Sequence, residues 1–187
     1  MVNETLNILK FLISNQEKKY SIRGLSKVRK INYKSAYQAV MKLNKAGIVK
    51  LEKLGNTTNC SFIPVLTPLV FQAENERRQE LIKDKNFKVI LSHIQDIVYP
   101  SIILLFGSYI KGTQSKGSDI DLLVISDNDD AQRTLSMLPI VHLSVFTYNE
   151  FMQMLKSKEY SVVGEAVKKN IILAGVEDYY RLINHVG

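Results

Sequence analysis

Residues 5–14 carry Leu6, Ile8, Leu9, Leu12 and Ile13 at helical spacing, with Asn3 or Thr5 as candidate N-cap. Ser21 stands ahead of a second short pattern, Ile22, Leu25 and Val28. After a break at Ile31-Asn32-Tyr33, Asn32 is placed to cap a third helix running to about Ala46. Ala36, Val40 and Leu43 form its single inner stripe, and Gly47 suits a left-handed helix end. The pattern then shifts towards strand. Residues 48–54 and 59–65 read as two short strands around the turn Gly55-Asn56-Thr57-Thr58.

Residues 69–97 return to helical spacing through Phe71, Leu81, Ile82, Phe87, Val89, Ile90, Ile94 and Ile97. Asn86 suggests a break, and Glu74, Glu76, Arg77, Arg78 and Glu80 are expected to form a solvated charged face. This segment offers a dimer seam and carries no chemistry of its own. Beyond Pro100 the apolar run 101–106 has strand length, as does 120–125, and residues 139–146 follow as a further strand. Asp127, Asp129 and Asp130 read as surface acids of a loop, Ser118 as a turn residue, and Glu150 as a helix cap.

Charge separates these regions. Of the net +7 over 187 residues, residues 1–66 hold ten lysines and two arginines against three glutamates, a net +9, and the remainder is −2. Such a basic segment points to nucleic acid or another polyanion. One cysteine, Cys60, excludes an internal disulfide framework and a four-cysteine zinc site. The longest apolar run, Ile102–Phe106, is far short of a membrane span, and no basic region precedes a long apolar stretch at the N-terminus. An intracellular, cytoplasmic protein is expected, with no membrane partner.

Three helices and a basic hairpin resemble the winged helix-turn-helix family over about residues 4–66. Lys42-Leu43-Asn44-Lys45-Ala46-Gly47-Ile48-Val49 looks like a recognition helix entering its wing. A helix fits the major groove, so Lys34, Ser35, Tyr37, Gln38 and Lys42 are candidates for base-edge contacts. Lys50 and Lys53 of the wing are candidates for phosphate contacts with double-stranded DNA.

The second half carries paired carboxylates. Asp119 and Asp121 are two residues apart on an apolar strand, so both project from one face. Mutual repulsion and desolvation make such a pair costly, and a hard divalent cation such as Mg²⁺ relieves it. Two such ions also hold attacking and leaving oxygens in phosphoryl transfer. Gly107-Ser108, at the end of the preceding strand and the start of a short helix, outlines a phosphate turn.

Gly107-Ser108, ten intervening residues, then Asp119-Ile120-Asp121 resembles the signature of the DNA polymerase β-like nucleotidyltransferase superfamily, nearest its minimal members. The likeness runs over about residues 85–185. It implies that Gly107 and Ser108 hold NTP phosphates, with Lys111 as a further phosphate or structural contact. Asp119 and Asp121 would ligate Mg²⁺, with ATP the expected nucleotide. Active members usually carry a third carboxylate on the next strand; here His142 occupies the matching position, with Ser144 the other candidate. Imidazole serves as a base but is a poor Mg²⁺ ligand.

The expected fold is α+β: a winged helix-turn-helix (1–66), connector helices (67–97) and a small nucleotidyltransferase α/β domain with a mixed sheet (98–187). Two functions follow. One is a Mg²⁺-dependent transferase placing a nucleoside monophosphate on a hydroxyl; related minimal domains modify small molecules, RNA ends or partner proteins, toxins among them. The other is a DNA-binding regulator whose transferase-like domain senses nucleotide or is inactive. An adaptor that keeps neither ligand is the bland third.

Overall fold

Leu6, Ile8, Leu9, Leu12 and Ile13 all fall on the buried face of α1 (Glu4–Ser14). The structure is a computed structural model and describes residues 4–115, 117–157 and 161–185. Asn3 lies outside them, and Thr5 stands within α1 instead of capping it. A two-residue strand, β1 (Tyr20–Ser21), precedes α2 (Ile22–Val28), where Ser21 Oγ accepts the Gly24 N–H. In α3 (Tyr33–Lys45), Asn32 Oδ1 accepts the Ser35 N–H, satisfying a donor that the first turn leaves free. Ala36, Ala39, Val40 and Leu43 make its inner stripe.

The wing is β2 (Val49–Leu54) paired antiparallel with β3 (Thr57–Phe62) across the turn Gly55-Asn56. Strand β1 pairs with the other edge of β3, giving the order β1-β3-β2. The Cys60 thiol is buried on β3 and donates to the Tyr20 carbonyl, and burial pushes its pKa up to about 11. The thiol therefore stays protonated and unreactive at neutral pH.

The chain divides into two compact units, Met1–Ala73 and Glu74–Gly187. The division falls inside α4 (Pro68–Leu81), whereas the sequence places boundaries at 66/67 and 97/98. Its physical reason lies in the second half of α4. Glu74 and Arg77, expected to be solvated, are buried in the second unit. Arg77 donates to a Glu74 carboxylate oxygen and to the Asn170 carbonyl, Tyr180 donates its hydroxyl to the other Glu74 oxygen, and Asn170 donates to Tyr179. Burial, with the Glu74 charge beside them, pushes both tyrosine hydroxyls far above their ordinary pKa. Every charge in this cluster thus has a hydrogen-bonded partner, which burial requires.

Helix α5 (Lys85–Gln95) starts one residue before the expected break, because Asp84 rather than Asn86 supplies the cap. The second unit is then built on β4 (Ile102–Leu105), α6 (Ser108–Lys111), β5 (Ile120–Ile125), α7 (Asp130–Ser136), β6 (Val141–Phe146), α8 (Tyr148–Ser157), α9 (Val162–Lys168), β7 (Ile171–Ala174) and α10 (Val176–Asn184). The sheet order is β6-β5-β4-β7, with β5 and β6 parallel and the other pairings antiparallel. Phe87 and Ile90 of α5 pack with Ala131 and Leu135 of α7 over Ile103, Leu105, Ile120, Leu122 and Val124 of the sheet.

The loop acids do more than meet solvent. Asp130 accepts the Val98 N–H, and Asp127 accepts the Tyr148 N–H at the start of α8. Thr147 and Glu150 bond reciprocally there, and those bonds hold the Glu150 carboxyl below its ordinary range. No helix among the described residues is long and apolar enough to cross a membrane.

Candidate active site

Between β4 and α6 stands Gly107, whose φ of +74° is a conformation L-residues rarely adopt. A second constraint acts at the same atom. A Cβ added to Gly107 would collide with Asp121 Oδ2 and lie 2.9 Å from its Cγ. The turn into α6 and the Asp121 carboxylate are therefore packed against each other, and only glycine leaves the room. The Phe106 N–H donates to the Asp121 carbonyl at 3.1 Å, fixing the strand end to β5. Ser108 opens α6, and Gly112, in a left-handed conformation, closes it.

Asp119 is exposed and immediately precedes β5, while Asp121 lies within the strand, its side chain 29% exposed. They bracket Ile120, which is fully buried. Strand alternation puts the Asp121 carboxylate on the side away from Ile120. The parallel ladder sets His142 directly beside Asp121, and His142 Nδ1 lies 3.2 Å from Asp121 Oδ1. The imidazole is 65% exposed, so it is an open group rather than a core histidine. Ser144 is two residues further along β6, opposite Leu123.

Lys111 is the last residue of α6. Its ammonium contacts Glu165 of α9 at 2.6 Å, a structural tie between α6 and α9. Ser118 closes a turn, its Oγ accepting the Ser115 N–H at 2.8 Å, and its carbonyl accepts the Tyr109 hydroxyl at 3.4 Å. Tyr109 in turn packs edge-on against Phe87, so a core residue steadies the helix that follows the glycine. Among the described residues, no group of three or more His, Cys, Asp or Glu side chains is arranged to cage a metal. What the fold brings together is the pair Asp121 and His142, with Asp119 two residues before Asp121 in the chain.

The first unit presents a separate candidate surface. Lys34, Tyr37, Gln38 and Lys42 are exposed on α3, whereas Ser35 is half-buried, its amide engaged by the Asn32 cap. Lys50 and Lys53, three residues apart on β2, project from opposite faces of the hairpin. Lys50 is paired with Glu52 at 3.1 Å, and Glu52 also holds Lys19 at 2.5 Å. The two wing lysines therefore do not form one patch.

Sequence reasoning missed a groove of about 500 Å³ beside this surface. Arg23 and Lys27 of α2, Tyr33 of α3, Asn56 of the wing turn and Thr57 and Thr58 at the start of β3 line it. Its only sequence signal is the pair Arg23 and Lys27, four residues apart on one face of α2. The wing turn that faces them arrives through tertiary folding.

No curated protein matches the chain. Two solved structures are similar to it at low identity. One is the transcriptional regulator BldR from Sulfolobus solfataricus, at 17% identity and TM-score 0.34, covering 49% of this chain and 70% of that one. The other is a toxin-antitoxin crystallised with AMP-PNP, at 20% identity and TM-score 0.36, covering 53% of this chain and 80% of that one. Residues 85–174, which contain the Gly107 turn, both aspartates and His142, match the family model described as nucleotidyltransferase domain. Residues 85–174 are thus similar to the nucleotidyltransferase domain family, and the three helices and antiparallel hairpin ahead of them are consistent with a winged helix-turn-helix.

Proposed function

We propose that the second unit transfers a nucleoside monophosphate from an NTP, ATP in the first instance, to a hydroxyl acceptor, and that the first unit binds duplex DNA. The packing of the Gly107 turn against the Asp121 carboxylate carries the transferase reading. It brings a backbone turn suited to phosphate and a hard anionic ligand to one point. Mg²⁺ suits this donor set, since it takes one or two carboxylates and completes its shell with water and substrate phosphates. Bound at Asp119 and Asp121, it would neutralise charge on the transferring phosphate.

The chain's own residues supply the remainder. Gly107 and Ser108 present the turn to the phosphates. His142 with its proton on Nδ1 donates to Asp121 Oδ1, which leaves Nε2 free to take the acceptor's proton. The acceptor oxygen bonds to the α-phosphorus, the bond from that phosphorus to the bridging oxygen breaks, and pyrophosphate leaves with the electron pair. Small molecules, RNA ends and protein hydroxyls, including those of a partner toxin, are the acceptor classes.

His142 also favours a second reading. An imidazole in place of a third carboxylate suits a site that holds nucleotide without turnover, and such a site would act as a sensor for the DNA-binding unit. One experiment separates the readings: calorimetry of ATP and GTP with and without Mg²⁺, paired with turnover of α-labelled nucleotide. The transferase gives metal-dependent binding and label transfer, both lost in Asp121→Asn. The sensor gives binding without transfer, together with a nucleotide-dependent change in DNA affinity. Absence of binding to the wild type overturns both.

A further inference from the structure

We infer that the first unit reads an A·T-rich stretch of duplex, with Tyr37, Gln38 and Met41 of α3 at the base edges and the α2–wing groove on the flanking phosphates. The inference rests on the DNA-binding reading above and adds to it the kind of sequence bound.

The exposed face of α3 consists of two rows. Tyr33, Tyr37 and Met41 follow one another at four-residue steps, and Lys34, Gln38 and Lys42 run beside them at the same steps. The Tyr33 and Tyr37 rings are 6.3 Å apart, so the first row is a continuous apolar stripe. Eight residues of helix rise about 12 Å, roughly four base pairs at about 3.4 Å each. The middle positions of the helix hold Tyr37, Gln38 and Met41. Glutamine pairs bidentately with adenine through N6 and N7, and apolar groups fit the thymine methyl. No arginine occurs on α3 and its lysines stand towards the helix ends, so Gln38 is the central polar residue with a bidentate base partner. The lysines at the ends of the second row lie where a groove-bound helix meets the phosphates.

Charge complementarity selects the occupant of the stripe. Lys34, Lys42 and Lys45 flank it on α3, and the unit around it is strongly basic. Glu52, the hairpin's acid, is held by Lys19 and Lys50. A polyanion with an apolar feature on its edge matches this surface, and a thymine-containing groove has both properties. Tyr33 belongs to the stripe and also lines the groove. A strand passing the N-terminal end of α3 would therefore meet Arg23 and Lys27 on one side and the hydroxyls of Thr57 and Thr58 on the other. Contacts of this kind position the protein without reading sequence.

The test uses the full chain. Sites are selected from a random duplex pool, and affinities for the selected duplex and a G·C-rich duplex of equal length follow from fluorescence anisotropy across a salt series. The expected result is an A·T-rich selection bound about tenfold or more tightly than the G·C-rich duplex. Gln38→Ala and Met41→Ala abolish most of that preference, weakening the A·T-rich duplex more than the G·C-rich one. Arg23→Ala/Lys27→Ala weakens both duplexes alike and flattens the salt slope. All these side chains are at the surface, and unchanged thermal unfolding shows that each variant folds. Duplex binding with no preference, or with preference for G·C, overturns the inference and leaves DNA binding standing. A preference that survives both α3 substitutions overturns the residue assignment. Absence of duplex binding overturns both readings, and a dimer that Met41→Ala dissociates then assigns the stripe to a second copy of the chain.

Discussion

The two units place their candidate chemistry in opposite relations to their folds. On α3 the outward residues Lys34, Tyr37, Gln38 and Lys42 take no part in the core, which Ala36, Ala39, Val40 and Leu43 build from the other side of the same helix. In the second unit the candidate groups are structural parts. Gly107 must be glycine because Asp121 occupies the space of its Cβ, and Asp121 also holds the strand end through its backbone carbonyl. Function and stability are therefore separable by substitution in the first unit and entangled in the second.

The largest expected effect tests whether the second unit depends on its buried polar cluster. Arg77→Ala leaves Glu74 buried without its cationic partner, and breaking a buried pair costs about 3–5 kcal/mol. Urea unfolding should show the transition of the second unit moving to lower denaturant by that amount, with the first unit's transition unmoved. Replacing both charges, Glu74→Leu with Arg77→Met, should cost much less, since no unpaired charge remains. Equal losses in the single and double variants would show that the packing of the side chains, and not their charges, holds α4 to this unit.

An intermediate effect tests the entanglement itself. Gly107→Ala forces a side chain into a strained backbone conformation and into the Asp121 carboxylate, at a cost of about 1–3 kcal/mol. Calorimetry should show nucleotide binding lost along with that stability. Adding Asp121→Gly removes the collision but not the positive φ. It should restore part of the stability and none of the nucleotide binding. Additive losses in this cycle would separate the turn from the carboxylate and break the comparison.

What the sequence reveals differs in the same way. Helix α3 could be placed because its cap, Asn32, its inner stripe and Gly47 are all local signals. Strand β1 could not, because two residues pair with Asn59 and Cys60 only through the tertiary fold. In the second unit the spacing of Gly107, Ser108, Asp119 and Asp121 was legible, and so was the match of His142 to the next strand. The burial of Glu74 and Arg77 was not, since their partners Asn170 and Tyr180 lie about a hundred residues away. Charge on a helical pattern reads as a solvated face unless its partner is already known. The pairing of Lys111 with Glu165, 54 residues away, was hidden for the same reason.

The smallest effect lies on the wing and sharpens the contrast. Lys19 and Lys50 hold the exposed Glu52 carboxyl below its ordinary value, through hydrogen bonds first and charge second. A folded-state pKa below the unfolded one gives a stability contribution that is full above the unfolded value and lost as pH falls through the folded one. The unfolding temperatures of the wild type and Glu52→Gln should therefore differ slightly above about pH 5 and converge towards pH 3. High salt should shrink the difference, because both partners are exposed. The same substitution releases two cations beside the proposed DNA face, so duplex affinity at low salt should rise while stability falls. Opposite signs from one surface residue are what separability predicts for the first unit. A fall in both would mean that Glu52 helps to shape the face rather than merely neutralising it.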